Sequence, residues 1–137
     1  MVTLLAESLR AVLAGWPDVR LAYLFGSAAA GRLRAGSDVD VGVRFGSRPT
    51  LDDISDLVSR FERAAGRRVD LVDLDTAPPL LQREIVMEGR LLLAVSDDER
   101  IDFETRALTR YMDTAHLRRV QRQYLRDWAE AYRAGTR

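Results

Sequence analysis

The sequence has 137 residues, 47% of them apolar, enough at this length for one domain with a core of its own. Its 21 acidic and 21 basic side chains cancel, so no global field draws it to nucleic acid or to an anionic membrane, and neither is an expected partner. The lack of cysteine excludes a disulfide framework, thiolate catalysis and cysteine-type zinc sites, and suits a reducing compartment, with the cytoplasm as the expected location.

In chain order, Leu4, Leu5, Leu9, Val12 and Leu13 recur at three- and four-residue steps and predict a helix over 3–15, closed by Gly15. That opening stretch carries Glu7 and Arg10 and lacks the pattern of a signal peptide; no segment approaches the roughly 18–20 apolar residues of a membrane span. Leu21 to Phe25, ending at Gly26, reads as a buried strand, followed by a loop or short helix from Ser27 to Gly36. Val39, Val41 and Val43 alternate with Asp38, Asp40 and Gly42, the period of a strand with one apolar face. A helix over 50–65 is expected, with Thr50 as its cap and Gly66 as its stop. Then come a strand from Val69 to Leu74, a helix from Pro78 and Pro79 to about Glu88, and a strand from Leu91 to Val95.

From Asp97 to Tyr132 the pattern is helical but changes phase. Ile101, Leu108, Met112 and Ala115 form a first stripe; Leu117, Val120, Tyr124, Trp128 and Ala131 form a second, as one bent helix or two. The alternation of elements predicts an α/β (α+β) fold with a mixed sheet of about four strands flanked by helices. Residues 1–137 form one domain, and 97–132 are a helical segment available for partner contact. No part of this small fold is left over to cover the second stripe.

Asp38 and Asp40, two apart on a strand, project from one face with Cα atoms roughly 6–7 Å apart. Two carboxylates so close repel unless a cation such as Mg²⁺ keeps both ionised, while Val39, Val41 and Val43 anchor the strand from behind. Alone, the pair reads equally well as the solvated face of an edge strand. Gly26-Ser27, just after a buried strand, adds a turn able to aim N–H groups and a hydroxyl at phosphate. All 21 basic residues are arginine, the side chain best suited to bidentate phosphate contacts.

Gly26-Ser27, ten intervening residues and then Asp38-Val39-Asp40 resemble the nucleotidyltransferase superfamily that includes DNA polymerase β. The resemblance is closest to the minimal nucleotidyltransferases, antitoxin partners of HEPN-domain toxins, and runs from Phe25 to the C-terminal helix. It implies a polymerase β palm-like fold, two Mg²⁺ ions on Asp38, Asp40 and a third carboxylate on a later strand, and nucleotide contacts at Gly26, Ser27 and Ser37. Asp70 matches the third position, and a lone acid among apolar strand neighbours is costly unless a cation stabilises it. Asp73 points to the opposite face and Asp75 sits at the strand end.

The implied activity is transfer of AMP from ATP to a tyrosine of a HEPN ribonuclease toxin, which neutralises it. Two alternatives share the residues: a non-catalytic antitoxin that works by occlusion, and a small-molecule, antibiotic-type nucleotidyltransferase, which normally carries a further substrate domain. One departure stands out. Ala28-Ala29-Ala30-Gly31 has Ala30 where the family commonly places an arginine; Arg32 and Arg34 read either as solvent-exposed loop arginines or as its substitute. The single histidine, His116, and the aromatic residues Tyr111, Tyr124, Trp128 and Tyr132 read as surface or packing groups.

Overall fold

The computed structural model describes residues 2–135. In order these are α1 (Val2–Ala14), β1 (Val19–Phe25), α2 (Gly26–Ala29), β2 (Val39–Phe45), α3 (Leu51–Ala65), β3 (Val69–Asp73), α4 (Pro79–Glu88), β4 (Arg90–Ala94) and α5 (Asp97–Gly135). The four strands form one sheet in the order β3-β2-β1-β4. β1 is antiparallel to both neighbours, whereas β2 and β3 are parallel, with α3 supplying the crossover between them. The expected mixed four-stranded sheet is therefore present.

Each face of the sheet has its own apolar cluster. On one, Val39, Val41 and Val43 pack with Leu9 and Leu13 of α1 and with Leu57 and Phe61 of α3. On the other, Leu21, Tyr23 and Phe25 meet Leu74, Ile85 of α4 and Phe103 of α5. The alternation in β2 thus buries its valines against α1 and α3 and turns Asp40, Gly42 and Arg44 toward the face of α4. Gly42 has to be glycine, because a Cβ there would run into Leu74 and crowd Ile85.

Local chemistry explains the middle of the chain. Thr50 and Asp53 form a reciprocal capping box at the start of α3, and Gly66 closes it in a left-handed conformation. Thr50→Ala is expected to lower stability by about 1 kcal/mol, read as a lower urea midpoint with an unchanged slope.

The C-terminal segment departs most from expectation. It is a single helix of 39 residues, and its buried side chains are Phe103 and Ala107 rather than the stripe of Ile101, Leu108, Met112 and Ala115. Ile101 and Met112 are exposed. Polar bonds set the docked face: Arg20 pairs with Glu99 through both guanidinium arms at 3.0 and 3.1 Å, and the Tyr23 hydroxyl donates to Glu104 at 2.6 Å. Burial and the adjacent Glu104 carboxylate keep the Tyr23 phenol protonated well above its usual range. A hydrophobic period cannot register such anchors, which is why it selected the wrong side of the helix. Among the described residues no helix is long and apolar enough to cross a membrane.

Candidate active site

The end of β1, the start of β2 and the start of β3 meet at one edge of the α4-side face. β1 stops at Phe25 because Gly26 takes φ +71°, a conformation that turns the chain directly into the four-residue α2. Phe25 lies opposite Asp40 in the β1–β2 ladder, and Asp40 lies opposite Asp70 in the β2–β3 ladder. The Gly26 turn, Asp40 and Asp70 are therefore neighbours across three adjacent strands. Asp40 is packed so closely over Gly26 that a Cβ on that residue would overlap its carboxylate.

Asp38 precedes β2 rather than lying on it, and its side chain is exposed. Asp70 is also exposed, on the edge strand, so the expectation of a costly acid among apolar neighbours does not hold. Its place comes from strand register instead. The competing acids are otherwise engaged: Asp73 accepts from the Asp75 amide at 2.9 Å, and Asp75 pairs with Arg44 at 3.1 Å.

Asp40 is the electrostatic focus. Its carboxyl is held above the ordinary carboxylate value by burial first, then by the charges of Asp70, Asp38 and Glu84. Among the described residues no three acidic or histidine side chains surround a point tightly enough to enclose a metal by themselves. The carboxylates make an open, strongly negative corner.

Two residues went unnoticed in the sequence. Glu84 reaches this corner from the exposed side of α4, and only the packing of α4 on the sheet brings it there. Arg68, two residues before Asp70, lines an open cavity of 310 Å³ with Asp38, Ser37 and Arg67. Its guanidinium has no partner among the described residues. Arg68 immediately precedes β3, and nothing in its local spacing marks it out from the other arginines. Arg32 and Arg34 are exposed, and the loop carrying Arg34 and Ser37 is pinned by the Arg67 guanidinium, which donates to both backbone carbonyls. The Ser37 hydroxyl accepts from the Arg34 amide and stays beside Asp38. The larger cleft between α1 and α3, of 770 Å³, lies on the other side of the sheet and contains none of these groups.

A small-residue turn, an aspartate just before the next strand, one on it and a third in register with that one occur together in one sheet corner. The family described as "Polymerase beta, Nucleotidyltransferase" matches residues 7–99, which contain all of it. The chain belongs to this nucleotidyltransferase family. It is also 33% identical over 113 residues to the protein adenylyltransferase MntA of Shewanella oneidensis, covering 81% of this chain and 76% of that protein.

Solved relatives extend the likeness to the whole fold. A toxin–antitoxin crystal structure with AMP-PNP contains a chain 28% identical to this nucleotidyltransferase, with a TM-score of 0.71 over 92% of this chain and 98% of that one. A tri-AMPylated HEPN toxin of Shewanella oneidensis in complex with its MNT antitoxin gives 26% identity and a TM-score of 0.67, over 96% of this chain and 100% of the other. A match of that extent cannot stop short of the distal half of α5. The family match, by contrast, ends within the first turn of α5.

Proposed function

We propose that this nucleotidyltransferase moves AMP from ATP to a tyrosine of a cognate HEPN-type ribonuclease toxin and so neutralises it, with Mg²⁺ held by Asp38, Asp40 and Asp70. The observation that carries this is the in-register pair Asp40 and Asp70, with Asp40 packed against the Gly26-Ser27 turn. The matching relatives, one named a protein adenylyltransferase and one solved with an AMPylated toxin, support the acceptor class.

The donor set suits Mg²⁺ in its open form. Magnesium is usually held by one or two carboxylates together with substrate phosphates and water, not by a closed protein cage, and the mutual repulsion at Asp40 is what a cation would relieve. Two such ions, when bound, neutralise triphosphate charge and lower the pKa of an attacking hydroxyl.

The remaining roles belong to the chain. Gly26 lets the backbone approach phosphate, Ser27 offers a hydroxyl, and Arg68 together with Ser37 supplies polar contacts beside Asp38. Arg68 is better placed than Arg32 or Arg34 to stand in for the arginine that Ala30 replaces, because it opens onto the same cavity as Asp38. Asp70, exposed on the edge strand, faces the side from which a protein hydroxyl can enter. The tyrosine oxygen attacks the α-phosphorus in line, the bond from that phosphorus to pyrophosphate breaks, and the phenolic proton leaves toward Asp70 and solvent. Residues 1–137 act as one domain, with 97–132 as its extension.

Intact-mass measurement of the co-expressed HEPN-type partner, after incubation with this protein, ATP and Mg²⁺, tests the reading. A gain of one or more AMP units is expected, and none with Asp38→Ala/Asp40→Ala. An unchanged mass, with a complex that survives the double substitution, would make the protein an occluding module instead.

A further inference from the structure

From the distal half of α5 we infer that Leu117, Tyr124, Trp128 and Tyr132 form the surface on which the toxin docks; the inference rests on the proposed toxin partner. The helix is 39 residues long, roughly 58 Å, yet only its first third is buried on the body. Tyr111 ties it to the body, its ring lying under the Arg83 guanidinium of α4 at 4.9 Å. From Met112 to Tyr132, every polar bond and ring contact among the described residues stays within the helix itself.

This free stretch is amphipathic. At 100° per residue, Leu117, Val120, Tyr124, Trp128 and Tyr132 fall on one side, flanked by Leu125, while Arg119, Arg122 and Arg126 fall on the other. Tyr124 is 68% exposed and Trp128 58%. Trp128 and Tyr132 stack with centroids 5.4 Å apart, which makes a rigid aromatic step. All six apolar side chains are exposed, the condition for joining an interface core. Aromatic rings with polar tips are the side chains that dominate such interfaces.

Two observations favour the toxin as the occupant. The general nucleotidyltransferase match ends within the first turn of α5, which leaves the distal helix outside the stretch shared with that family. Chains solved in toxin–antitoxin structures are among those that match over 92% and 96% of this chain, extents that reach into the distal helix. Position agrees: α5 leaves from the α4-side face of the sheet, the face that carries Asp40, so a protein held on the helix is kept near the site and its effective concentration there rises.

The test uses the full-length protein and its co-expressed HEPN-type partner. Tyr124→Glu/Trp128→Glu should weaken the complex about 30-fold or more by titration calorimetry. It should raise the KM for toxin while leaving kcat at saturation unchanged, and leave the thermal shift given by ATP and Mg²⁺ intact. Arg122→Glu, on the opposite face, should bind as the parent does. Parental affinity in the double variant would overturn the inference while leaving the transfer reading untouched. So would light scattering that finds a parental dimer broken by the double variant with toxin affinity unaltered, because a second copy would then own the surface. Toxin binding lost with the stripe, in a parent that transfers no AMP, would sustain the docking surface and sink the transfer reading alone.

Discussion

Asp40→Asn is expected to abolish nucleotide transfer and, in the same molecule, to make the ligand-free protein more resistant to heat. Burial and then the charges of Asp70, Asp38 and Glu84 hold the Asp40 carboxyl above its ordinary value of 3.8. A carboxyl whose pKa is higher folded than unfolded binds its proton more tightly in the fold, so its ionisation destabilises the fold. The penalty is absent below the unfolded pKa and grows as the pH rises through the raised folded one. Asparagine keeps the shape and removes the charge. Because Asp40 is only partly buried, the gain should be a few degrees in Tm by scanning fluorimetry, and it should vanish in acid, where the parent is also uncharged. Transfer should fall at least about 10³-fold, as for loss of a group that acts on the reacting phosphate. Mg²⁺ should raise the Tm of the parent more than that of the variant. A lower Tm in Asp40→Asn would mean that partners stabilise the charge, contrary to this account.

Gly26→Ala should cost transfer about 10²-fold or more for a different reason. The residue sits at φ +71°, where a Cβ is strained, and that Cβ would overlap the Asp40 carboxylate. Asp40 has to move, and displacements near 1 Å at a reacting centre are enough for losses of this size. Ser27→Ala removes one hydroxyl and no geometry, so its effect should be smaller, about tenfold. Single-turnover rates with saturating ATP separate the two. Equal losses in both variants would show that Gly26 acts only through its neighbour's hydroxyl.

Much of this site was legible because it is local. Gly26-Ser27 and Asp38-Val39-Asp40 lie within 15 residues, the valine alternation announces which face is core, and Thr50 and Gly66 mark the helix ends that position β3. Strand register places the candidate Asp70 beside Asp40, although the desolvation argument for it fails: Asp70 is exposed, and Asp40, not Asp70, is the acid that burial perturbs. Glu84 is 44 residues from Asp40 in the chain, and no spacing within α4 distinguishes it from any other exposed glutamate. The docked face of α5 was misjudged because its anchors, Glu99 and Glu104, are charged residues that pair with Arg20 and Tyr23 of a distant strand.

Local patterns carry the elements, the apolar faces of the strands, the candidate pair Asp38 and Asp40 with its glycine turn, and an apolar stripe on the last helix. Each follows from interactions between residues a few positions apart, where backbone period and side-chain chemistry act directly. Tertiary packing adds that Asp70 stands beside Asp40, that Glu84 and Arg68 share their corner, and that α5 is one continuous helix seated by ion pairs. Those are facts of strand register and helix docking, set by the simultaneous packing of distant segments on both faces of one sheet, and no local pattern encodes them.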